Sequence, residues 1–396
     1  MRIALCLEYP IALRGGVSVL VETLVRELVL RGHEIVLVSN DTPASLRECA
    51  ISDLIQRHFF WPARKPTRMQ ARQLAQQLKS AGVEVAHFQV GGVFGFGNRI
   101  PFCSPAYFAD RQGIPCVNTS HSVVHWLDGF CGPKKPLWFK LLLLPVAWLG
   151  KLHQMQHVRT EIAVSNHDYE KLRRWYAPLR SRLQLIYHSR LDGAELAIPE
   201  VARENVILNV GHVARRKGQA VLAEAFAEIG GRHPTWRLEF AGKDLDGITV
   251  ERIQQLQAQP PSGQRILLLG ERTDATALMR RSAIYAQPSL EEALGLALQE
   301  AMACGCAVVG SRVGGIPELI KTKDVGLLVE PASVPELAGA LEVLMDDAAK
   351  RQQLGQAAAR FIRTSGMTAE SMVSRHLEIY ESICVRDGAR NGRGVS

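Results

Sequence analysis

RIALCLEYPIALRGGVSVLVETLVRELVLRGHEIVLVSN, residues 2–40, is the stretch that decides the fold. RIALCLEY is an apolar run of strand length. VSVLVETLVRELVLRG carries its apolar residues at helical spacing, and EIVLVSN is strand-like again. Strand, helix and strand in this order make a βαβ unit, which implies a parallel sheet. The same grammar continues through VEVAHFQ, PCVNTSH and EIAVSN, with helix-like stretches between most of them.

At RLDGAELAIPEVAREN, residues 190–205, the text turns irregular. It then restarts as NVILNVGHV, WRLEFAG, RILLLG, AIYAQP, CAVVGS and GLLVE. A chain of 396 residues is too long for one ordinary core. The expectation is therefore α/β, with two doubly wound Rossmann-like domains facing a cleft. The first takes residues 1–190, a linker 191–204 and the second 205–370. A helix over 371–386 crosses back to the first domain, and the tail 387–396 ends the chain. The text RDGARNGRGVS, 386–396, reads as disordered. In doubly wound domains ligands sit at the carboxyl ends of strands.

Composition narrows the class. Hydrophobic residues make up 47% and charged residues 22%, as in an ordinary globular protein. The net charge of +8 suits an anionic partner, such as a nucleotide, a phosphorylated substrate or a membrane surface, and equally suits solubility alone. No nucleic-acid reader motif is present, so nucleic acid is not expected as a partner. The eight cysteines lack paired clusters and read as reduced thiols of a cytosolic protein. The start lacks the long apolar core of a signal peptide.

Two stretches suit a membrane surface. LLLLPVAWLG, 141–150, follows KKPLWFK and is too short to span a bilayer. With Lys134, Lys135, Lys140, Trp138 and Trp148 it fits a helix lying in the membrane interface, and it fits a core helix equally well. RHFFWPARKPTRMQARQLAQQLK, 57–79, has six Lys/Arg, no acid and a leading aromatic cluster. It reads as a face for anionic lipid or a phosphorylated acceptor, or as a solvated basic helix, with Phe59, Phe60 and Trp61 costly to leave in water.

Four constellations carry chemistry. Gly15 and Gly16 close the loop after the first strand, where a helix start at Val17 would offer free N–H groups to phosphate. VGHVARRKGQ, 210–219, puts Arg215, Arg216 and Lys217 at the end of a strand, where a diphosphate could be neutralised; a solvated charge run is the alternative. PSLEEALGLALQEAMACG, 288–305, places Glu292 in a loop, Gly295 and Leu296 at a helix start, and Glu300 inside an apolar helix. A buried carboxylate needs partners, and two ribose hydroxyls would serve. A helix-surface glutamate facing water is the plainer alternative. NTSHS, 118–122, ends a strand with His121, a residue type more often structural than functional.

Together these motifs resemble the retaining glycosyltransferases of family 4, the group 1 glycosyltransferases of GT-B fold. Glu292 and Glu300 match the family's E-x7-E pair. VGHVARRKG is similar to its phosphate loop, CAVVGSRVGGIPELI to the strand, glycine turn and helix that follow, and RGG and NTSHS to its first-domain loops. The resemblance covers most of the chain, to about residue 380. It implies Glu300 on the ribose and Glu292 on the donor sugar. Lys217, with Arg216, falls on the diphosphate, as do the amides of Gly16, Gly295 and Leu296. Backbone near Arg272, in LGERTD, falls at the base, and His121 beside the sugar. Two departures stand out. His212 occupies the family's arginine position, and YHSRLDG replaces its usual linker text, which leaves the role of Asp192 open. DLD at 244–246 looks like a metal-binding D-x-D but lies where the family has a glycine-rich turn, so no metal and no cofactor are expected.

The implied activity is retaining transfer of a sugar from a UDP- or GDP-sugar to a hydroxyl of a glycan or lipid-linked acceptor. Cell-surface polysaccharide, lipopolysaccharide or glycolipid synthesis would be its setting, and the cytoplasm or the cytoplasmic face of the inner membrane its place. A sugar-nucleotide 2-epimerase of the same fold and a non-catalytic scaffold are the alternatives. A nicotinamide oxidoreductase is disfavoured because G-x-G-x-x-G is missing.

Overall fold

The computed structural model describes residues 1–13, 15–61, 67–92, 95–96, 101–123, 136–192 and 202–391. The chain divides into two compact units, Met1–Arg190 with Ala369–Ser396, and Leu191–Thr368. Most of the linker expected at 191–204 lies outside the described residues.

The first unit holds seven parallel strands, β1 (Arg2–Leu7), β2 (Glu34–Ser39), β3 (Ile55–Phe60), β4 (Val85–Val90), β5 (Cys116–Ser120), β6 (Thr160–Ala163) and β7 (Leu183–Leu185). Their order is β3-β2-β1-β4-β5-β6-β7. The central strands are buried on both faces, which is why they read as unbroken apolar runs. The helix Gly16–Leu30 lays Leu20, Val21, Leu24, Val25 and Leu28 on the sheet, at the spacing its sequence shows. It starts at Gly16, one residue before the expected Val17. The C-terminal helix Ala369–Asn391 packs Met372, Val373, Leu377 and Tyr380 into the same core. The tail expected to be disordered is thus helical as far as Asn391, and 392–396 lie outside the described residues.

The basic stretch 57–79 is not one surface element. Its start is the edge strand β3, and Trp61 is sealed in the core, stacked on Phe96 at 5.7 Å. Burial against Phe96 removes the tryptophan from any membrane role. Phe60 stays half exposed. The helix Arg68–Ser80 begins at a Thr67–Gln70 capping box and buries Ala71, Leu74, Ala75 and Leu78.

The helix Leu137–Gln156 has two characters. Its second half is anchored. Ala147, Lys151, Gln154 and Met155 are buried, Lys151 Nζ lies 2.7 Å from Glu161 Oε1, and Trp148 Nε1 donates to the Trp175 carbonyl at 2.8 Å. Its first half exposes Leu137, Trp138, Leu141, Leu142 and Val146, and Leu149 extends the exposed stripe. Lys134 and Lys135 lie outside the described residues. No helix among the described residues is long and apolar enough to cross a membrane.

The second unit has six parallel strands, β8 (Glu204–Val210), β9 (Arg237–Ala241), β10 (Ile266–Gly270), β11 (Ser282–Gln287), β12 (Ala307–Ser311) and β13 (Leu327–Val329). Their order is β10-β9-β8-β11-β12-β13. The strand order reverses between β8 and β11 here, and between β1 and β4 in the first unit. Such reversals open a crevice at the carboxyl edge of a doubly wound sheet.

Candidate functional site

In the second unit the loops after β8 and β11 meet at that reversal. The first carries His212, Arg215, Arg216 and Lys217, and the second Glu291, Glu292 and Gly295. Lys217 Nζ lies 2.6 Å from Glu292 Oε2, so one ion pair spans the two loops. Backbone bonds add to it, because the amides of Leu290 and Glu291 donate to the Arg216 carbonyl at 2.8 and 3.2 Å. The approach is close enough that a Cβ on Gly218 would sit 1.9 Å from the Pro288 carbonyl oxygen, and Gly218 holds φ at +70°. Glycine is required there on both counts.

Glu292 Oε2 also accepts from Gln287 Nε2 at 2.9 Å and from Ser289 Oγ at 3.2 Å. Gln287 is steadied in turn by the Tyr285 hydroxyl, 2.8 Å from its Oε1. Burial works to raise the Glu292 carboxyl, but the Lys217 ammonium and its hydrogen bond, with Arg216 and Ser289, hold it below its ordinary value. It is therefore ionised near neutral pH. Oε2 is saturated. Oε1 takes no partner among the described residues and is not sealed from solvent, so it is the oxygen open to a ligand.

The basic loop is pinned from its other side by the DLD segment. Asp246 Oδ2 accepts from the Arg215 amide at 2.5 Å, and Asp246 Oδ1 from the Thr249 amide at 2.9 Å. Asp244 Oδ1 takes the amides of Asp246 and Gly247. These aspartates shape a loop. Among the described residues no group of His, Cys, Asp and Glu is placed to hold a metal ion. His212 is half buried; burial first, then Arg216 and Lys217, push its imidazole down, so it is uncharged near neutral pH. Arg215 and Arg216 are exposed.

Gly295, at φ +105°, caps the helix Leu296–Ala303 with no side chain on the free amides. Its first N–H groups and its dipole thus remain available to an anion. Glu300 is on this helix, buried, and close enough to Tyr285 for its charge to raise that phenol further, after burial itself. Gly314 closes the far wall, where a Cβ would sit 1.6 Å from the Glu292 carbonyl oxygen. The loop after β10 comes near the loop after β8, and Glu271 there acts on the charge of His212. Arg272 follows the edge strand β10 and turns its exposed guanidinium to Asp274, 2.7 Å away.

In the first unit Gly15 and Gly16 open the helix after β1, again without a side-chain cap. His121 follows β5, and its Nε2 lies 2.7 Å from Gln89 Oε1. Sequence reasoning missed Gln287 and Ser289, which a tight loop turns onto Glu292, and the bracing roles of Asp246 and Gln89, which bond across elements.

Comparison with known proteins shows what the chain is similar to. Residues 14–189 match the family described as Glycosyltransferase Family 4, and residues 196–361 match Glycosyl transferases group 1. D-inositol 3-phosphate glycosyltransferase from Pseudarthrobacter chlorophenolicus is 33% identical over 180 residues, 44% of this chain and 42% of that protein. The match thus spans less than half the length of that curated relative. Sucrose-phosphate synthase from Thermosynechococcus elongatus is similar in structure with a TM-score of 0.74 at 19% identity, covering 98% of this chain and 100% of the other. Anabaena HepE, solved with UDP, gives 0.73 at 17%, covering 96% and 100%. At such identities the likeness is one of fold. With both halves of the sequence matched to families and both sheets doubly wound, the chain belongs to the group 1, family 4 glycosyltransferases of GT-B fold.

Proposed function

We propose that the protein is a retaining glycosyltransferase that moves a sugar from a nucleoside-diphosphate sugar to a hydroxyl of a glycan or lipid-linked acceptor. The observation that carries this reading is Glu292. Its Oε2 is fixed by Lys217, Gln287 and Ser289, and its Oε1 is left open at the switch point between β8 and β11. A carboxylate held ionised with one free oxygen is suited to accept from a sugar hydroxyl. Lys217 and Arg216 stand where a diphosphate needs charge. The capless helix start at Gly295 and Leu296 offers N–H groups to the same anion. Glu300, farther along that helix, is assigned to the ribose hydroxyls.

In the reaction the bond between the anomeric carbon and the diphosphate oxygen breaks as the acceptor oxygen bonds to that carbon from the same face. The acceptor's proton passes to the departing phosphate. The basic loop and helix start stabilise the charge that develops on the diphosphate. A UDP-sugar is the donor favoured by the fold likeness to a UDP-bound protein. The exposed apolar stripe on the helix Leu137–Gln156 supports seating on a membrane, where a lipid-linked acceptor resides.

Calorimetric titration with UDP, GDP, ADP and CDP tests the site. One of them should bind, and Glu300→Ala should weaken it by about tenfold or more, as loss of hydrogen bonds to a charged group implies. No binding by any of the four would overturn the reading. An anomeric proton of the product with inverted coupling would overturn the stereochemistry alone.

A further inference from the structure

Four histidines from separate parts of the sequence gather on one face of the first unit's sheet. His87 and Gln89 alternate along β4, and Thr119 and His121 alternate along and just past β5. The register pairs Gln89 with Thr119, so all four side chains project to the same face. The C-terminal helix covers that face with His376 and Tyr380, one turn apart. His188 lies beside His121, with ring centres 4.9 Å apart.

The hydrogen bonds run in series. The Tyr380 hydroxyl is 2.6 Å from His87 Nδ1, and Thr119 Oγ1 is 2.7 Å from His87 Nε2. Both ring nitrogens of His87 are therefore occupied, and the ring cannot turn. Gln89 Nε2 lies 3.1 and 3.2 Å from the two nitrogens of that ring, and the amide turns its oxygen toward His121. Gln89 Oε1 then lies 2.7 Å from His121 Nε2. A carbonyl oxygen only accepts, so His121 carries its proton on Nε2. Nδ1 has no partner among the described residues and is not among the sealed polar atoms, so it is the nitrogen that meets solvent.

We infer that Gln89 is a positioning residue that locks the His121 imidazole in its Nε2–H tautomer, so that Nδ1 presents a lone pair to a sugar hydroxyl. Tyr380 and His87 extend the lock to the C-terminal helix. The role at the sugar rests on the function proposed above, whereas the tautomer does not. Burial first, with His376 adding, holds His121 down to about 3, so the lone pair persists through the neutral range.

Long-range proton–nitrogen NMR on the full chain labelled with 15N-histidine tests the tautomer without any ligand, with His121→Asn identifying the signal. The expected result is a protonated Nε2 and an unprotonated Nδ1, unchanged from pH 8 down to about 5. Gln89→Leu should release the ring, giving mixed tautomers or a ring that titrates. Gln89→Glu should keep the Nε2 proton and move the ring's titration upward, because a carboxylate favours the imidazolium. A proton on Nδ1 in the unaltered protein, or an unchanged His121 signal in folded Gln89→Leu, would overturn the inference.

Activity separates this inference from the function it rests on. Release of nucleoside diphosphate from UDP-glucose, UDP-N-acetylglucosamine or GDP-mannose should fall by about tenfold or more in Gln89→Leu, in kcat more than in KM, since a misplaced group costs the transition state most. It should be rescued in part by Gln89→Glu. If His121→Ala leaves turnover intact, the role at the sugar fails while the tautomer stands. If His121→Ala is damaging and Gln89→Leu is silent in both assays, the positioning role fails alone.

Discussion

Lys217 Nζ and Glu292 Oε2 lie 2.6 Å apart, on loops that leave two strands adjacent in the sheet but 75 residues distant in the chain. The pair ties the loop after β8 to the loop after β11. Both side chains are mostly buried, so removing one leaves the other's charge poorly solvated. Lys217→Ala should cost about 1–3 kcal/mol of stability in addition to weakening nucleoside diphosphate binding. Glu292→Gln, which keeps shape and two hydrogen-bond partners, should cost less. The pair also sets a pH dependence. The Glu292 carboxyl is held below its ordinary 4.5, so its stabilisation is complete above that value and drains as pH falls below it. Melting temperatures measured from pH 7 to 3 should converge between Glu292→Gln and the unaltered protein at the acid end. Parallel curves would remove the ion pair from the account.

His212 stands where the resembled family has a permanent charge, and its imidazole is uncharged near neutral pH. A bound diphosphate would favour the imidazolium. UDP binding should therefore take up a proton and tighten as pH falls from 8 to 6. His212→Arg should bind UDP more tightly at pH 8, by about tenfold for one added charge-assisted hydrogen bond. Its slope against pH should be shallower. The nucleotide titrates identically in both proteins, so the difference between the two slopes isolates the imidazole. Equal slopes would place His212 outside the diphosphate's reach.

The sequence made the second sheet legible because its six strands are short, mostly apolar runs between turns, the central ones buried on both faces. It failed at β3, where IQRHFF leaves polar residues exposed on an edge strand, and at β7, only three residues long. The two acids of the site were visible from spacing and resemblance together. The partners of Glu292 were less visible. Ser289 and Gln287 are ordinary residues until a loop turns them onto a carboxylate. The Tyr380–His87 bond links positions 293 apart, a separation that no local pattern encodes.

Gly314 tests how tightly the crevice is built. Its φ is +54°, and a Cβ would sit 1.6 Å from the Glu292 carbonyl oxygen. Gly314→Ala must shift one wall. It should lose about 1–3 kcal/mol by strain and overpacking, and roughly tenfold or more in donor turnover as Glu292 moves. Gly339→Ala, exposed on the helix Val334–Asp346 with open space at its Cβ, should be neutral or stabilising. Equal melting temperatures for the two variants would contradict the close approach.

The exposed stripe on the helix Leu137–Gln156 makes a prediction about membranes. Leu137, Trp138, Leu141, Leu142, Val146 and Leu149 lie on one face, and the helix is held to the body by its other half through Lys151 and Trp148. Burying such leucines in a lipid interface is worth about 1 kcal/mol or more each, from the area they remove from water. The net charge of +8 adds attraction to anionic headgroups. The protein should co-sediment with vesicles containing phosphatidylglycerol and only weakly with pure phosphatidylcholine. The double variant Leu141→Ser, Leu142→Ser should lower vesicle binding by about tenfold or more while leaving the melting temperature near its original value, since neither leucine packs in the core. Trp138 fluorescence should shift to the blue on binding in the unaltered protein. Undiminished binding by the double variant, with no shift at Trp138, would assign the stripe to some other partner and detach the lipid-linked acceptor from this helix.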